Sequence, residues 1–339
     1  MIPEGFGPAL PGVEQVHHVE DGLAWTSIGR TVSVDGELAG QFPSRRRDRL
    51  EAYRPWRRIA RVDKCVVRPT PWGLLGIRGG WVYCLRREGP QPLWPFHSDA
   101  PLRGAIAVTE SGAWVGEYTG ARDHGPIVIW HIRPDLSRVP AHVFPAGAVR
   151  HVHRVQVDPL DGALWATTGD RDGACWLWRS DDGFRTVERL GDGTQRSRAT
   201  HLCFTESHVA WGTDTELGVN HVVRLHRRTG QLETGMVLPA PVWSGALTTD
   251  DWHLIATGVE RGPGVRTRRA QVFASRDAWH WQLVASLDKD RWPHRLGKHG
   301  LLWFPTGRFT LEETLVSGEA LRGLDGSARP LDVWGLDRG

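Results

Sequence analysis

Lysine is nearly missing from this chain. Of 42 basic residues only Lys64, Lys289 and Lys298 are lysine; the rest are arginine. Against 39 acidic residues the formal charge is +3, too small for a nucleic-acid-binding field to follow from it. The densest basic run, Ser44-Arg45-Arg46-Arg47-Asp48-Arg49, has no interleaved aromatics and reads as a solvated loop, so nucleic acid is not an expected partner. Cysteine is also sparse. Cys65, Cys84, Cys175 and Cys203 show no CxxC spacing and sit in apolar runs, so they read as free buried thiols. No apolar stretch approaches the roughly 18–20 residues of a membrane span, and the N-terminal residues lack the basic start and apolar core of a secretory signal. The expected location is therefore cytoplasmic, with no membrane partner. The P-loop, dinucleotide, HExxH and GxSxG signatures are absent, which removes kinase, dehydrogenase and esterase readings.

Helical periodicity is the last thing missing. Only residues 50–59 and 311–315 could carry a helical turn. What is present instead is 40 Gly, 22 Pro and 18 Trp, with short apolar runs such as Ile127-Val128-Ile129-Trp130 and Ala163-Leu164-Trp165-Ala166-Thr167 between turn residues. The runs group into similar units: an apolar strand, an Asp/Gly turn, a Trp-bearing strand, a Gly-rich loop and an outer hairpin. Unit starts fall near Val13, Ala60, Ala105, His151, Thr200, Trp243 and His294. Their spacing of about 43 to 51 residues is that of four-stranded propeller blades. The chain is expected to be all-β, one seven-bladed β-propeller over residues 1–339, with six blades and a decorated first unit as the alternative. Most tryptophans should pack between the stacked sheets, leaving a few as sugar-stacking platforms.

Two segments read as Asp-box hairpins, Ser180-Asp181-Asp182-Gly183-Phe184-Arg185-Thr186-Val187 and the shorter Ser275-Arg276-Asp277-Ala278-Trp279-His280-Trp281. The Ser and Asp side chains of such a box satisfy backbone donors in the turn, so it supports a fold rather than a reaction. Four further segments occur in order: Gly116-Glu117-Tyr118, Arg150-His151-Val152-His153, Thr168-Gly169-Asp170 and Trp211-Gly212-Thr213-Asp214, with Gly193-Thr194-Gln195-Arg196-Ser197-Arg198-Ala199 among them. Over residues 100–305 the chain resembles bacterial BNR/Asp-box repeat proteins associated with polysaccharide genes. That resemblance implies a sialidase-like propeller and points to carbohydrate work without giving a reaction.

In a propeller, the starts of innermost strands and the loops after second strands open on one mouth of the central funnel. Arg103, His151, Arg198, His201 and Trp243 occupy the first kind of position; Glu117, Tyr118, Asp170, Arg171, Asp214 and Glu260 occupy the second. Polar groups gathered on a rigid scaffold are where function collects. His151 and His153, two residues apart on a strand, can face one space. They could hold a divalent metal with Gln156, Asp170 or His201, act as a general base, or simply bond between blades. Among the carboxylates, Glu117 and Asp170 are the leading catalytic candidates because a Tyr or Arg sits beside each. Asp214 and Glu260 offer acid partners, and Asp172 reads as a loop cap. Arg103, Arg150, Arg171 and Arg198 suit a bidentate grip on an acidic sugar. Tyr118 beside Arg and His would suit a uronate lyase, while the Arg-Ile-Pro entry of sialidases is missing. The expectation is a carbohydrate-active enzyme, hydrolase or uronate lyase, acting by acid/base chemistry on a glycan or oligosaccharide; the alternative is a non-catalytic propeller binding a glycan or protein.

Overall fold

Each repeat folds into an antiparallel sheet because its runs are short, apolar and separated by left-handed turn residues such as Asp21, Asp35 and Asp251. The computed structural model describes residues 3–50, 53, 56, 59, 64–96, 102–120, 125–294, 299–333 and 336. Seven sheets surround one axis, a seven-bladed β-propeller. Their innermost strands are Gln15–Glu20, Val66–Thr70, Ile106–Thr109, Val152–Val157, Cys203–Phe204, Val242–Leu247 and Leu301–Trp303. No helix among the described residues is long and apolar enough to cross a membrane.

Second strands are covered on both faces by the neighbouring blades, which is why they read as continuous apolar runs. Leu164–Thr168 and His253–Thr257 are buried at every position. Outer strands such as Arg138–Phe144 are half exposed. Blades approach so closely that Gly116 is required: a Cβ there would lie 2.5 Å from Val152 of the next blade. Tryptophan fills this space in two ways. Trp94, Trp114, Trp165, Trp211 and Trp252 are buried, whereas Trp130 and Trp279 are half-buried beneath guanidinium plates. Arg138 lies 4.4 Å from the Trp130 ring centroid and Arg224 lies 4.1 Å from that of Trp279. Arginine thus serves the blade seams, which composition alone does not reveal.

Three local expectations change. The basic run is not a plain solvated loop: Arg46–Leu50 forms a 3-10 turn that buries Asp48 against Arg78, with bidentate contacts of 2.8 and 2.9 Å. Residues 311–315 make hydrogen-bonded turns leading into the strand Leu315–Glu319, not a helix. The helical turn expected over 50–59 falls mostly outside the described residues, and the unit start at Ala60 lies wholly outside them. In both Asp boxes the serine and aspartate bind the turn as drawn from sequence, Asp182 accepting from Thr186 N and Asp277 from His280 N. Phe184 and Ala278 take left-handed φ values of 66° and 58°.

The ring is shut by both ends of the chain. Blade 7 contributes Leu301–Trp303, Leu315–Glu319 and Ser327–Pro330, and the N-terminal segment lies along its outer edge through the Phe6–Leu331 bridge and the bond from Gly7 N to Pro330 O. Thr306 and Gly307 pair in parallel with His18 and Val19 of blade 1. Phe6 is buried at this seam. Phe6→Ala is expected to cost about 3 kcal/mol, read as a lower denaturation midpoint with early hydrogen exchange confined to blades 7 and 1.

Candidate functional site

The upper mouth of the central channel encloses a cavity of about 530 Å³. Local backbone irregularities aim the side chains into it. In the innermost strand of blade 4, pairing passes from Val152–Thr168 to Arg154–Thr167, leaving His153 as the extra residue of a bulge; Trp243 is the extra residue at the same place in blade 6. A bulge re-aims the side chain it carries. Asp170 follows the second strand of blade 4 at φ 107°, a strained conformation for a residue with a Cβ. Arg198 is delivered by the preceding turn, where Asp192 accepts bonds from Thr194 N, Thr194 Oγ1 and Ser197 Oγ.

These elements bring together Tyr118, Arg103, Arg150, His151, His153, Asp170, Arg171, Arg198, Asp214, Trp243 and Glu260 around one cavity. The two histidine rings meet at Nε2, 2.8 Å apart. His151 Nδ1 faces the Thr119 carbonyl at 3.4 Å, and His153 Nδ1 lies 3.9 Å from Asp214 Oδ2. Tyr118 stacks on His151 with ring centroids 4.4 Å apart. Asp170 takes Arg150 at 3.0 Å and Arg198 at 3.2 Å, and its Oδ1 is 3.4 Å from Nε2 of each histidine. Arg198 also reaches Asp214 at 3.5 Å and Glu216 at 2.8 Å.

Three of the expected residues, Glu117, His201 and Gln156, lie elsewhere. Glu117 points away from its neighbour Tyr118 and is tied into its own blade, accepting from Val128 N and Trp130 Nε1. His201 lies just before the strand Cys203–Phe204 and lines the lower mouth, about 760 Å³ in volume; it is not part of the cluster His151, His153 and Asp170. Gln156 is an inter-blade strut, bonded to Leu202 through both its oxygen and its nitrogen. Asp172 caps Gln195 N as expected. Glu216, His299 and Trp303 also line the cavity and escaped the sequence reading. Glu216 stands two residues beyond Asp214, and that spacing was the available signal.

Two guanidiniums among four acids leave their protonation divided. Burial would raise Asp170, but the hydrogen bonds and charge of His151 and His153 outweigh it and hold the carboxylate well below its usual range. Burial lifts Asp214 well above that range; Arg198 opposes, and Glu260, Glu216 and Asp170 add to the rise. Glu260 is pushed up to about 7 by burial and by the Glu216 charge. His153 is driven down to about 4 by burial, against the pull of Asp170. The His151, His153 and Asp170 atoms lie within reach of a single divalent ion. Both Asp170 oxygens already take guanidinium contacts, so a dication would face two cations at once. The cluster fits a shared proton better than a metal.

No protein-family model matches the chain, and no curated protein matches it at a significant level. Among solved structures, the Cps50 (Swd1) β-propeller domain from Myceliophteria thermophila aligns with 96% of this chain and 98% of its own at TM-score 0.53 and 10% identity. The dihydro-heme d1 dehydrogenase NirN aligns with 99% of this chain and 67% of its own at TM-score 0.49 and 15% identity. A chain of the nidogen/laminin complex aligns with 72% of this chain and 84% of its own at TM-score 0.47 and 8% identity. At such identities the likeness is one of fold alone.

Burial lowers His18, His153 and His253 to about 4. Between pH 6.5 and 4 the unfolded chain binds more protons at these sites than the native protein, so stability is complete above that window and lost as pH falls through it. His253→Gln, away from the cavity, is expected to flatten the slope by up to about 1.4 kcal/mol per pH unit, measured as denaturation midpoint against pH. Elemental analysis of the purified protein is expected to show no stoichiometric divalent metal; one equivalent, lost in His151→Ala/His153→Ala, would replace the shared proton with coordination.

Proposed function

We propose that the protein is a carbohydrate-active enzyme that works by acid/base chemistry in the upper mouth, and that the reaction is hydrolysis of a glycosidic bond. The supporting observation is that carboxyl groups of one cavity are pushed apart, with Asp170 held ionised and Glu260 raised to about 7. Carboxyls divided in this way take separate roles. Glu260, holding its proton, is the acid for the leaving oxygen. Asp170 is too weak a base to remove a proton efficiently, and it acts instead as the anion that stabilises or traps an oxocarbenium-like centre. Trp243, edge-on to Trp303 with centroids 6.0 Å apart, provides the flat wall on which a sugar ring stacks.

Elimination from a uronate is the second reading, favoured by the stack of Tyr118 on His151 beside Arg150. The two reactions differ in product, since elimination leaves an unsaturated sugar absorbing in the near ultraviolet. The Asp-box hairpins and the run of motifs support membership of the BNR-repeat group named above. A propeller that only binds glycan would retain affinity without turnover.

With an oligosaccharide library as substrate, Asp170→Asn is expected to remove turnover while leaving binding measurable. Glu260→Gln is expected to lower kcat by about 10²–10⁴, with a much smaller loss on aryl glycosides, whose leaving groups need no proton. Wild-type turnover should decline as pH rises through about 7, where Glu260 loses its proton. Unchanged kcat in both variants would remove this assignment.

A further inference from the structure

Below the acid cluster the channel narrows, and the residues shared by the two mouths are Arg68, Arg154, Gly245, Pro305 and Thr306. The two arginines differ from those above. Arg150 and Arg198 are matched by carboxylates, and Arg103 pairs with Glu319 at 3.0 Å. Neither Arg68 nor Arg154 has an acidic partner among the described residues. Arg68 is 7% exposed and donates only to the carbonyls of Val67, His17 and Arg103, its Nε remaining buried and unbonded. Arg154 spends its Nε on Gln156 at 3.1 Å, and its two terminal nitrogens have no protein partner among the described residues.

Both guanidiniums contact the Arg103–Gly104 segment. Arg68 bonds the Arg103 carbonyl at 2.7 Å, and Arg154 packs on Gly104 so tightly that a Cβ there would sit 3.0 Å from its terminal nitrogen. A buried cation and a half-buried one within electrostatic reach of each other, without counter-charge, are costly unless something anionic enters. The nearby His17 and His201 add no further positive charge, being kept neutral chiefly by burial.

We infer that the waist of the channel is an oxyanion subsite, in which the free nitrogens of Arg154, backed by the charge of Arg68, take the carboxylate, phosphate or sulfate of an acidic saccharide. This rests on the saccharide reading above and names its substrate class. The anion enters the waist, and the neutral part of the ligand lies against the acid wall formed by Asp170, Asp214 and Glu260. Burial and mutual repulsion bring Arg68 down to about 9 and burial brings Arg154 to about 10, so both remain charged at neutral pH.

The test is calorimetric titration with inorganic phosphate, sulfate and glucuronate at constant ionic strength, on wild type, Arg154→Gln, Arg68→Gln and the exposed control Arg133→Gln. Wild type and the control are expected to bind, and Arg154→Gln to bind about tenfold more weakly or not at all. Tighter binding of phosphate or sulfate than of glucuronate assigns a tetrahedral group; the reverse assigns a carboxylate. Without anion, Arg154→Gln should unfold at or above the wild-type midpoint, because no ion pair is lost. A marked fall in that midpoint, equal affinities in wild type and Arg154→Gln, or no binding by wild type would overturn the subsite. Anion binding without turnover of any saccharide leaves the subsite standing and removes the catalytic reading. Turnover of neutral saccharides without anion binding does the reverse.

Discussion

A propeller blade has no core of its own, and everything else in this molecule depends on the ring being shut. Each sheet buries its two faces only against its neighbours, so the hydrophobic stabilisation of one blade is conditional on the next. The seam between blades 7 and 1 carries that burden with Phe6 against Leu331 on the outside and Thr306 against His18 near the axis. The channel exists because seven innermost strands are held around an axis instead of collapsing together, and the polar groups at its mouth are buried only because the ring holds them there.

Closure also explains the electrostatics. Blades 4, 5 and 6 each send acids into one small volume, Asp170 from the first, Asp214 and Glu216 from the second and Glu260 from the third. Arg198 reaches three of them. Two guanidiniums, Arg150 and Arg198, cannot neutralise four carboxylates in a low-dielectric space, so some retain protons and one is held ionised by additional donors. Chemical differentiation of like groups follows from crowding, not from any special residue. Below the cluster, where Arg68 and Arg154 stand without acids, the imbalance has the other sign, and the channel is polarised along its axis.

Arginine performs two tasks that composition merges. At the blade seams it lies flat on tryptophan, as Arg138 does on Trp130, burying its stem while leaving the head hydrated. In the channel it is stripped of water and either paired or left waiting for an anion. Lysine could do neither as well, since its ammonium is a hydrated point charge without a stacking plane.

The all-β class, the seven-fold repeat and the convergence of Tyr118, His151, His153, Asp170, Arg198, Asp214 and Glu260 were legible in the sequence, because turn residues and apolar runs are local signals and a blade repeats them in fixed order. Glu117 was not distinguishable from Tyr118 beside it: which of two adjacent residues faces the axis is set by register, and Glu117 turned to its own blade. His153 lies in an innermost strand and His201 just before one, but a bulge aims His153 at the acid wall while His201 faces the lower mouth. Protonation, too, was outside the sequence, since Glu260 keeps its proton through burial in the closed ring and through the charge of Glu216 from another blade. Local pattern determines what each blade is; only closing the ring decides which charges meet and what they do to one another.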